Sequence, residues 1–202
     1  MHQARENTGR LHVPLFTVGH SNHPFEHFLA LLRGHGVEVV ADVRSRPHSR
    51  FVPHFGKERL VRLLEAEGLG YLFLGRELGG TPSDAKRPVA PISYRERVAQ
   101  PVFRAGIDRL LDAAQARRVA LMCRERDPLD CHRFHLVCRH LRSLAPDIRH
   151  ILPDGEVEAQ EATERRLLER AGTPELPLFG AVEEPADERA LARAYDEWWH
   201  NA

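Results

Sequence analysis

Cysteine is scarce in this sequence, which has three among its 202 residues: Cys123, Cys131 and Cys138. A sparse, odd number of cysteines in a chain without an export signal argues against a disulfide framework, so we expect free thiols. Charge of one sign is not in excess either, since 29 basic side chains balance 29 acidic ones. This balance gives no overall attraction to polyanions, and any affinity for phosphate or nucleic acid must be local.

Long apolar runs are also missing. No stretch approaches the roughly 18 apolar residues that a membrane span requires, and residues 1–10 are mostly polar or charged, unlike a signal peptide. We therefore expect a cytoplasmic protein without a membrane partner. Its length favours one domain with a tail over two domains.

Short apolar runs alternate with segments of helical spacing along most of the chain. The apolar runs are typical of buried strands, and they cover residues 15–18, 37–43, 71–74, 119–122 and 148–152. This alternation predicts a three-layer, Rossmann-like α/β fold with a mainly parallel sheet of about five strands. We assign residues 12–157 to this domain and residues 158–202 to a charged, helical appendage.

Polar or glycine-rich segments follow four of these predicted strands. Because ligands of open parallel sheets bind beyond the carboxyl ends of the strands, these segments should face one another around one pocket. The first two contribute His20 and Ser21, then Asp42 and the run from Arg44 to Arg50; the last two are residues 75–80 and 123–133.

The segment that follows the fourth strand contains two of the cysteines. Asp130 is positioned to cap a helix that would carry Cys131, His132 and Arg133 in its first turn. Such a helix end favours an anion and, together with arginine, lowers a thiol pKa, so Cys123 and Cys131 are both candidate nucleophiles. The sequence does not rank them, and both could instead be small core residues, as we expect for Cys138.

Acid and base groups lie in the same segment. Glu125 follows the strand end by two residues and could share the pocket as a general acid or base, as could His132; Glu125 could equally be a solvated loop carboxylate or an arginine partner. Zinc is an alternative use of Cys123 and Cys131, but the spacing lacks a second close ligand pair, and His20, His48 or His54 would have to complete it. No cofactor is therefore predicted.

Guanidinium and hydroxyl groups suited to phosphate follow the second strand, at Arg44, Ser49 and Arg50. With Arg133 they form the predicted anion site, although a solvated charge run is the simpler interpretation. Asp42 lies in an apolar strand, where an unpaired carboxylate is costly. We expect it to pair with an arginine, most simply Arg44, Arg46, Arg50 or Arg133.

Four ordered motifs resemble a bacterial and archaeal family, the domain of unknown function 488. They are Thr17-Val18-Gly19-His20-Ser21; Asp42-Val43-Arg44 with Pro47 and Ser49-Arg50; Tyr71 with Leu74-Gly75 and Leu78-Gly79-Gly80; and Cys123-x-Glu125 with Cys131-His132-Arg133. The likeness spans roughly residues 16–152. It implies a compact Rossmann-like domain whose shared cysteine, histidine and acidic positions suggest an enzyme, with no settled reaction.

The tail carries a separate pattern. Glu175-Leu176-Pro177-Leu178-Phe179 is similar to the Gln-Leu-x-Leu-Phe peptide by which bacterial repair and replication proteins dock on the sliding clamp, with Glu in place of Gln. An extended peptide held by Leu176, Leu178 and Phe179 is a physically sensible docking mode. Packing of the same side chains on the domain would explain them equally well.

These observations favour an enzyme that acts on a nucleotide, nucleic acid or other phosphate- or sugar-containing substrate, with Cys123, Glu125 and His132 as the catalytic candidates. The main alternative is a non-catalytic nucleotide-binding or DNA-repair adaptor module that docks on the sliding clamp. A further alternative is a thiol-redox or zinc protein that uses Cys123 and Cys131.

Overall fold

A computed structural model describes residues 11, 13–48, 50–80, 92–172 and 188–201, and it confirms the α/β prediction. One sheet has the strand order β3-β2-β4-β1-β5-β6. The first five strands in this order are parallel and β6 is antiparallel to β5. The strands are β1 (Leu15–Gly19), β2 (Val39–Asp42), β3 (Gly70–Phe73), β4 (Val119–Cys123), β5 (Ile148–Ile151) and β6 (Val157–Ala159).

Helices cover both faces of the sheet. They are α1 (Phe25–Gly34), α2 (Lys57–Ala66), α3 (Gly75–Leu78), α4 (Tyr94–Ala99), α5 (Pro101–Ala116), α6 (Arg139–Leu141), α7 (Gln160–Arg170) and α8 (Glu188–Asn201), with 3₁₀ turns at Pro53–Phe55 and Pro128–Asp130 and a π-helix at Arg133–Cys138. Within the described ranges, no helix has the length and apolarity that crossing a bilayer requires.

The central strands alternate their side chains between two separate cores. Val40 and Met122 point to the core formed with α1 and α2, which we call the α1/α2 face. Leu121 and Cys123 point to the core formed with α5 and the π-helix, which we call the α5 face. Since successive strand residues alternate, Asp42 follows Val40 onto the α1/α2 face, opposite the thiol of Cys123.

The connections place a crevice at the carboxyl end of β4. The chain leaves β1 and β2 through α1 and α2 on one face, whereas it leaves β4 through the π-helix on the other. In the sheet, β4 lies between β1 and β2. The connection after β4 therefore turns to one face, whereas the connections after its two neighbours turn to the other face. Such a divergence is the position where open α/β sheets bind ligands.

The segment after β4 begins differently from the sequence prediction. Asp127, not Asp130, caps the first turn, since its carboxylate accepts from the Leu129 amide at 2.9 Å and Pro128 occupies the first position. Asp130 instead contacts Arg170 at 2.7 Å. The predicted α-helix from Cys131 is a π-helix that becomes regular only at α6.

The last helices pack on the sheet domain. Leu129 and Phe134 form a third core with Leu167 of α7 and with Leu191 and Tyr195 of α8. Strand β6 (Val157–Ala159), which the sequence did not predict, crosses the predicted boundary between the α/β domain and the C-terminal appendage. The division at residues 157 and 158 stays a prediction.

Candidate active site

Two cysteines and one histidine meet at the carboxyl end of β4, on the α5 face. The sulfurs of Cys123 and Cys131 and a ring nitrogen of His132 all lie within 4.8 Å of one another. Nδ1 of His132 is 3.5 Å from the Cys123 sulfur. Both cysteines are buried, at 5% and 1% exposure, but His132 is partly exposed. The cluster is therefore in contact with solvent at its histidine.

A backbone carbonyl fixes the proton on His132. Nε2 of His132 lies 3.0 Å from the carbonyl oxygen of Val43, which can only accept a hydrogen bond, so Nε2 carries the hydrogen. When the ring carries a single proton, its Nδ1 is therefore unprotonated and faces the thiol of Cys123. This is the orientation in which an imidazole can take a proton from a thiol.

The two thiols titrate as a pair. A hydrogen bond to Cys131, followed by burial, raises the pKa of Cys123 well above its ordinary value. Burial alone would raise the pKa of Cys131, but the hydrogen bond from Cys123 and the charge of Arg133 outweigh it and hold that pKa well below its usual range. The two sulfurs therefore titrate as one pair, in which ionisation of Cys131 is favoured over ionisation of Cys123.

The positive charge beside this thiolate belongs to a fully buried arginine. Arg133 donates from its guanidinium to the carbonyl of Glu125 at 2.6 Å, to that of Arg126 at 3.1 Å and to Thr17 Oγ1 at 3.4 Å. Its amide contacts the Cys131 sulfur at 3.4 Å. Among the described residues no carboxylate pairs with it. A thiolate on Cys131 would supply a compensating negative charge.

A directed chain of hydrogen bonds joins Arg133 to the C-terminal helices. Thr17 accepts from Arg133 and lies 2.8 Å from Nδ1 of His150, whose Nε2 is 2.9 Å from Gln160 Oε1. Gln160 then donates to Glu164 and to Tyr195. Each group has one consistent role, with His150 neutral because burial lowers its pKa to about 3. This chain of hydrogen bonds connects Arg133 to α7 and α8.

On the α1/α2 face a second polar network surrounds Asp42. Its carboxylate accepts from Arg44 Nε at 2.9 Å, from Arg44 Nη2 at 2.6 Å and from the Tyr71 hydroxyl at 2.7 Å. The predicted pairing of Asp42 with an arginine is confirmed. Arg44 also contacts His20 and the Phe55 carbonyl, so most of its donors are already used. Val43, whose carbonyl orients His132, lies between the two charged residues.

The chain after Cys123 crosses closely over β1. A Cβ on Gly19 would lie 1.9 Å from the carbonyl oxygen of Glu125, so this crossing requires glycine. Ser21, with φ of 47°, then turns away and donates its amide to the Arg124 carbonyl at 2.8 Å. The narrow crossing joins the ends of β1 and β4 and forms the floor of an open groove.

That groove measures ≈ 610 Å³ and lies directly beyond β1 and β4. Loops that follow β1, β2 and β4 form its walls, and its lining residues are Ser21, Asn22, His48, Arg50, Phe51, Val52, Arg124, Glu125, Arg126, Asp127 and Asp130. Most of them are polar or charged. The groove lining thus includes Glu125 and Arg126, whose carbonyls accept from Arg133, and Arg124, which directly follows Cys123.

The family comparison agrees with the motifs. A family model described as domain of unknown function DUF488 matches residues 24–139. This match covers more than half of the chain. The chain belongs to the DUF488 family. The comparison with curated proteins found no match, and neither did the comparison with solved structures.

The DUF488 match covers the cysteine cluster and the Asp42 network but leaves out β1. Cys123, Cys131, His132 and Arg133 all lie within residues 24–139, whereas His20 and Ser21 precede them. Helices α7 and α8 lie beyond the matched region. The hydrogen-bond chain from Arg133 to Tyr195 thus joins family residues to the rest of this protein.

The predicted site residues divide between the two polar groups and the groove. Cys123, Cys131 and His132 are together, and His20, Asp42 and Arg44 are together on the opposite face. Ser21, Arg50 and Glu125 line the groove, where the half-exposed Glu125 carboxylate is 3.7 Å from Arg124 rather than in the cysteine cluster. Cys138 is fully buried, as expected of a core residue.

Some predicted residues lie outside the described part of the chain. Ser49 is one of them, and Leu176, Leu178 and Phe179 are the others. The phosphate role of Ser49 and docking on a sliding clamp through Glu175 to Phe179 stay predictions.

Sequence reasoning missed several functional groups. Tyr71 was noted within a motif but given no role, and the Val43 carbonyl carries no side-chain signal at all. Phe51 and Arg126 of the groove were also missed. The position of Phe51 at the end of the mostly polar run from Arg44 to Arg50, beyond a buried strand, was a usable signal.

The cysteine cluster offers the kinds of atoms that bind zinc. It provides three ligands where a structural zinc site requires four. Both ring nitrogens of His20 already have partners, Ser21 and Arg44, and His54 contacts the His23 carbonyl. In the described ranges the cluster of Cys123, Cys131 and His132 has no fourth His, Cys, Asp or Glu ligand within the same distance.

Proposed function

We propose that this protein is a cysteine-dependent enzyme that acts on an anionic, phosphate-containing substrate. The observation that carries the proposal is the orientation of His132, whose Nε2–H is bonded to Val43 and whose Nδ1 faces the Cys123 thiol at 3.5 Å. A base so held against a thiol is the arrangement that activates cysteine nucleophiles.

Cys123 is the nucleophile in this proposal. Its thiol proton passes to Nδ1 of His132, and the sulfur attacks the electrophilic atom of the substrate. The bond to the leaving group breaks, and the leaving group takes the proton from the imidazolium. The Cys131 thiolate stabilises that imidazolium, as the third member of a catalytic triad does. Water then hydrolyses the intermediate, or a second substrate displaces it.

Arg133 and the groove supply the remaining functions. The charge of Arg133 supports the thiolate of Cys131, and its guanidinium holds the carbonyls of Glu125 and Arg126 at the groove. A substrate in the groove would thus lie next to the residue that follows Cys123. Arginine side chains on the groove wall favour phosphate over a neutral group.

Chemical labelling of the three cysteines tests this proposal. We expect a small chloroacetamide probe to label Cys123 before Cys131 at neutral pH, as mapped by mass spectrometry, because His132 removes the Cys123 proton during the reaction whereas the less exposed Cys131 sulfur is held by the Arg133 amide. Replacing His132 by Gln should slow that labelling by roughly 10²-fold or more, the usual scale for loss of a positioned base. The same variant and Cys123→Ser should both lose turnover in a panel of phosphate esters and nucleotides.

The matched control is Cys138→Ser. Cys138 is fully buried at the end of the π-helix, and burial raises its pKa. Because it is not part of the cluster of Cys123, Cys131 and His132, its replacement should leave both labelling and turnover unchanged. Labelling of Cys123 that ignores the His132 substitution would overturn the proposal. Stoichiometric zinc in freshly purified protein, lost in Cys123→Ser, would replace the nucleophile with a metal site.

A further inference from the structure

We infer that the groove binds a nucleotide unit, with the base stacked on Phe51 and the phosphate held by Arg50 and Arg126. This inference rests on the proposed function and specifies its substrate class. It depends on three observations about the groove: an aromatic ring presented to solvent, arginines that pair with no carboxylate of the described residues, and acidic side chains that each have an arginine partner.

Phe51 is the first of these observations. The residue is 97% exposed and is part of the groove wall. Exposing an aromatic ring so completely forgoes the stabilisation that burial gives, and the neighbouring core does not use it, since Val52 and Phe55 pack there instead. A planar apolar face in a mostly polar groove suits a nucleobase, because each of the bases can stack on an aromatic side chain.

The charge of the groove is the second observation. Its three acidic side chains have arginine partners: Asp127 contacts Arg166 at 3.0 Å, Asp130 contacts Arg170 at 2.7 Å and Glu125 lies 3.7 Å from Arg124. Two of these partners come from α7, outside the groove.

Two further arginines line the groove, Arg50 and Arg126. Across the residues that the structure describes, neither Arg50 nor Arg126 forms an ion pair. Because arginines of α7 bind Asp127 and Asp130 from outside the lining, Arg50 and Arg126 are available to an anion in the groove although the chain as a whole is neutral. Guanidinium groups in its lining are suited to a phosphate next to a stacked base.

Size and position agree with a nucleotide. The groove measures ≈ 610 Å³, within the range of about 300–1,000 Å³ that is usual for small-molecule sites. It lies directly after β1 and β4, so a phosphate near Arg126 would lie close to the strand end that carries Cys123. The stacked base would extend outwards along the segment after β2.

Binding of a fluorescent single-stranded thymidine hexanucleotide, measured by anisotropy with the full-length protein, tests this inference. Phe51→Ala should weaken binding roughly 5- to 150-fold, the range that loss of one stacked base gives. Phe51→Tyr should retain most of the affinity. Val102→Ala, which shortens an exposed apolar residue of α5, is the matched control and should bind like the unmodified protein.

The phosphate contact has its own test. Arg126→Gln should weaken binding and reduce the slope of log affinity against log salt by roughly one. Arg62→Gln, on the exposed side of α2, is the control and should leave the slope unchanged. Adenosine and thymidine monophosphates as competitors distinguish a free nucleotide from a strand: effective competition indicates the former.

Three results would overturn the inference: equal binding by the protein and its Phe51→Ala variant, no binding of any nucleotide, or equal affinity for polyglutamate. None of them depends on the cysteines. Failure of nucleotide binding with His132-dependent labelling intact would therefore reject the substrate class alone. Intact binding with His132-independent labelling would reject the proposed chemistry alone.

Discussion

Asp42→Ala is expected to lower the free energy of unfolding by roughly 3–5 kcal/mol, the usual cost of leaving a buried charge without its partner. Asp42 is fully buried and the Arg44 side chain is only 7% exposed. The substitution would leave that guanidinium without a carboxylate and the Tyr71 hydroxyl without its acceptor. Chemical denaturation followed by circular dichroism measures the change.

Asp147→Ala is a closely matched control. Asp147 and Arg149 are two residues apart, as Asp42 and Arg44 are, and the Arg149 Nε and Nη2 atoms donate to the Asp147 carboxylate at 2.7 and 2.8 Å. Unlike the Asp42 pair, both side chains are nearly half exposed. Its loss should cost less than about 1 kcal/mol. Equal costs for the two substitutions would mean that the Asp42 network does not stabilise the rim of the sheet.

Acid should destabilise the protein steeply below about pH 6.5. Burial, the largest cause in each case, lowers the pKa of His20 and of His150 to about 3 and that of His135 to about 4. These histidines are neutral when folded and take up protons when unfolded, so their contribution is complete above the unfolded pKa of 6.5 and falls as pH decreases towards 4. The three together change stability by roughly 4 kcal/mol per pH unit.

Denaturation curves at pH 7, 6 and 5 check this prediction above the range where most carboxylates titrate. His135→Phe keeps a ring against Trp198, on which His135 stacks at 3.9 Å, and should remove about one third of the slope even if it changes the absolute stability. Stability that does not vary between pH 7 and 5 would show that these side chains are accessible to protons in the folded state.

The architecture could be predicted from the sequence because burial leaves periodic signals. The apolar runs around Val18, Val40 and Leu121 are covered on both faces, and each becomes a central strand. The pairing of Asp42 followed from the cost of an unpaired carboxylate in such a run. Strand β6 gave no signal, since its three residues are not buried.

The site was harder to predict because it depends on which way side chains point. Cys123, Glu125 and Asp42 were expected in one pocket, but strand alternation places the Cys123 thiol on one face and Asp42 on the other. Glu125 contributes its carbonyl to Arg133 while its carboxylate lies in the groove. The helix cap at Asp127 could have been read from Pro128, which favours the first position of a helix.

The central claim is that Cys123, Cys131 and His132 form a cluster that holds one thiolate at neutral pH. Titration of the ultraviolet absorbance of thiolate tests it most directly, because this absorbance reports the ionisation of the sulfurs themselves. We expect one thiolate to persist well below the ordinary cysteine pKa and to disappear in Cys131→Ser but not in Cys138→Ser. An absorbance that rises only in alkaline solution, alike in all three proteins, would contradict the account.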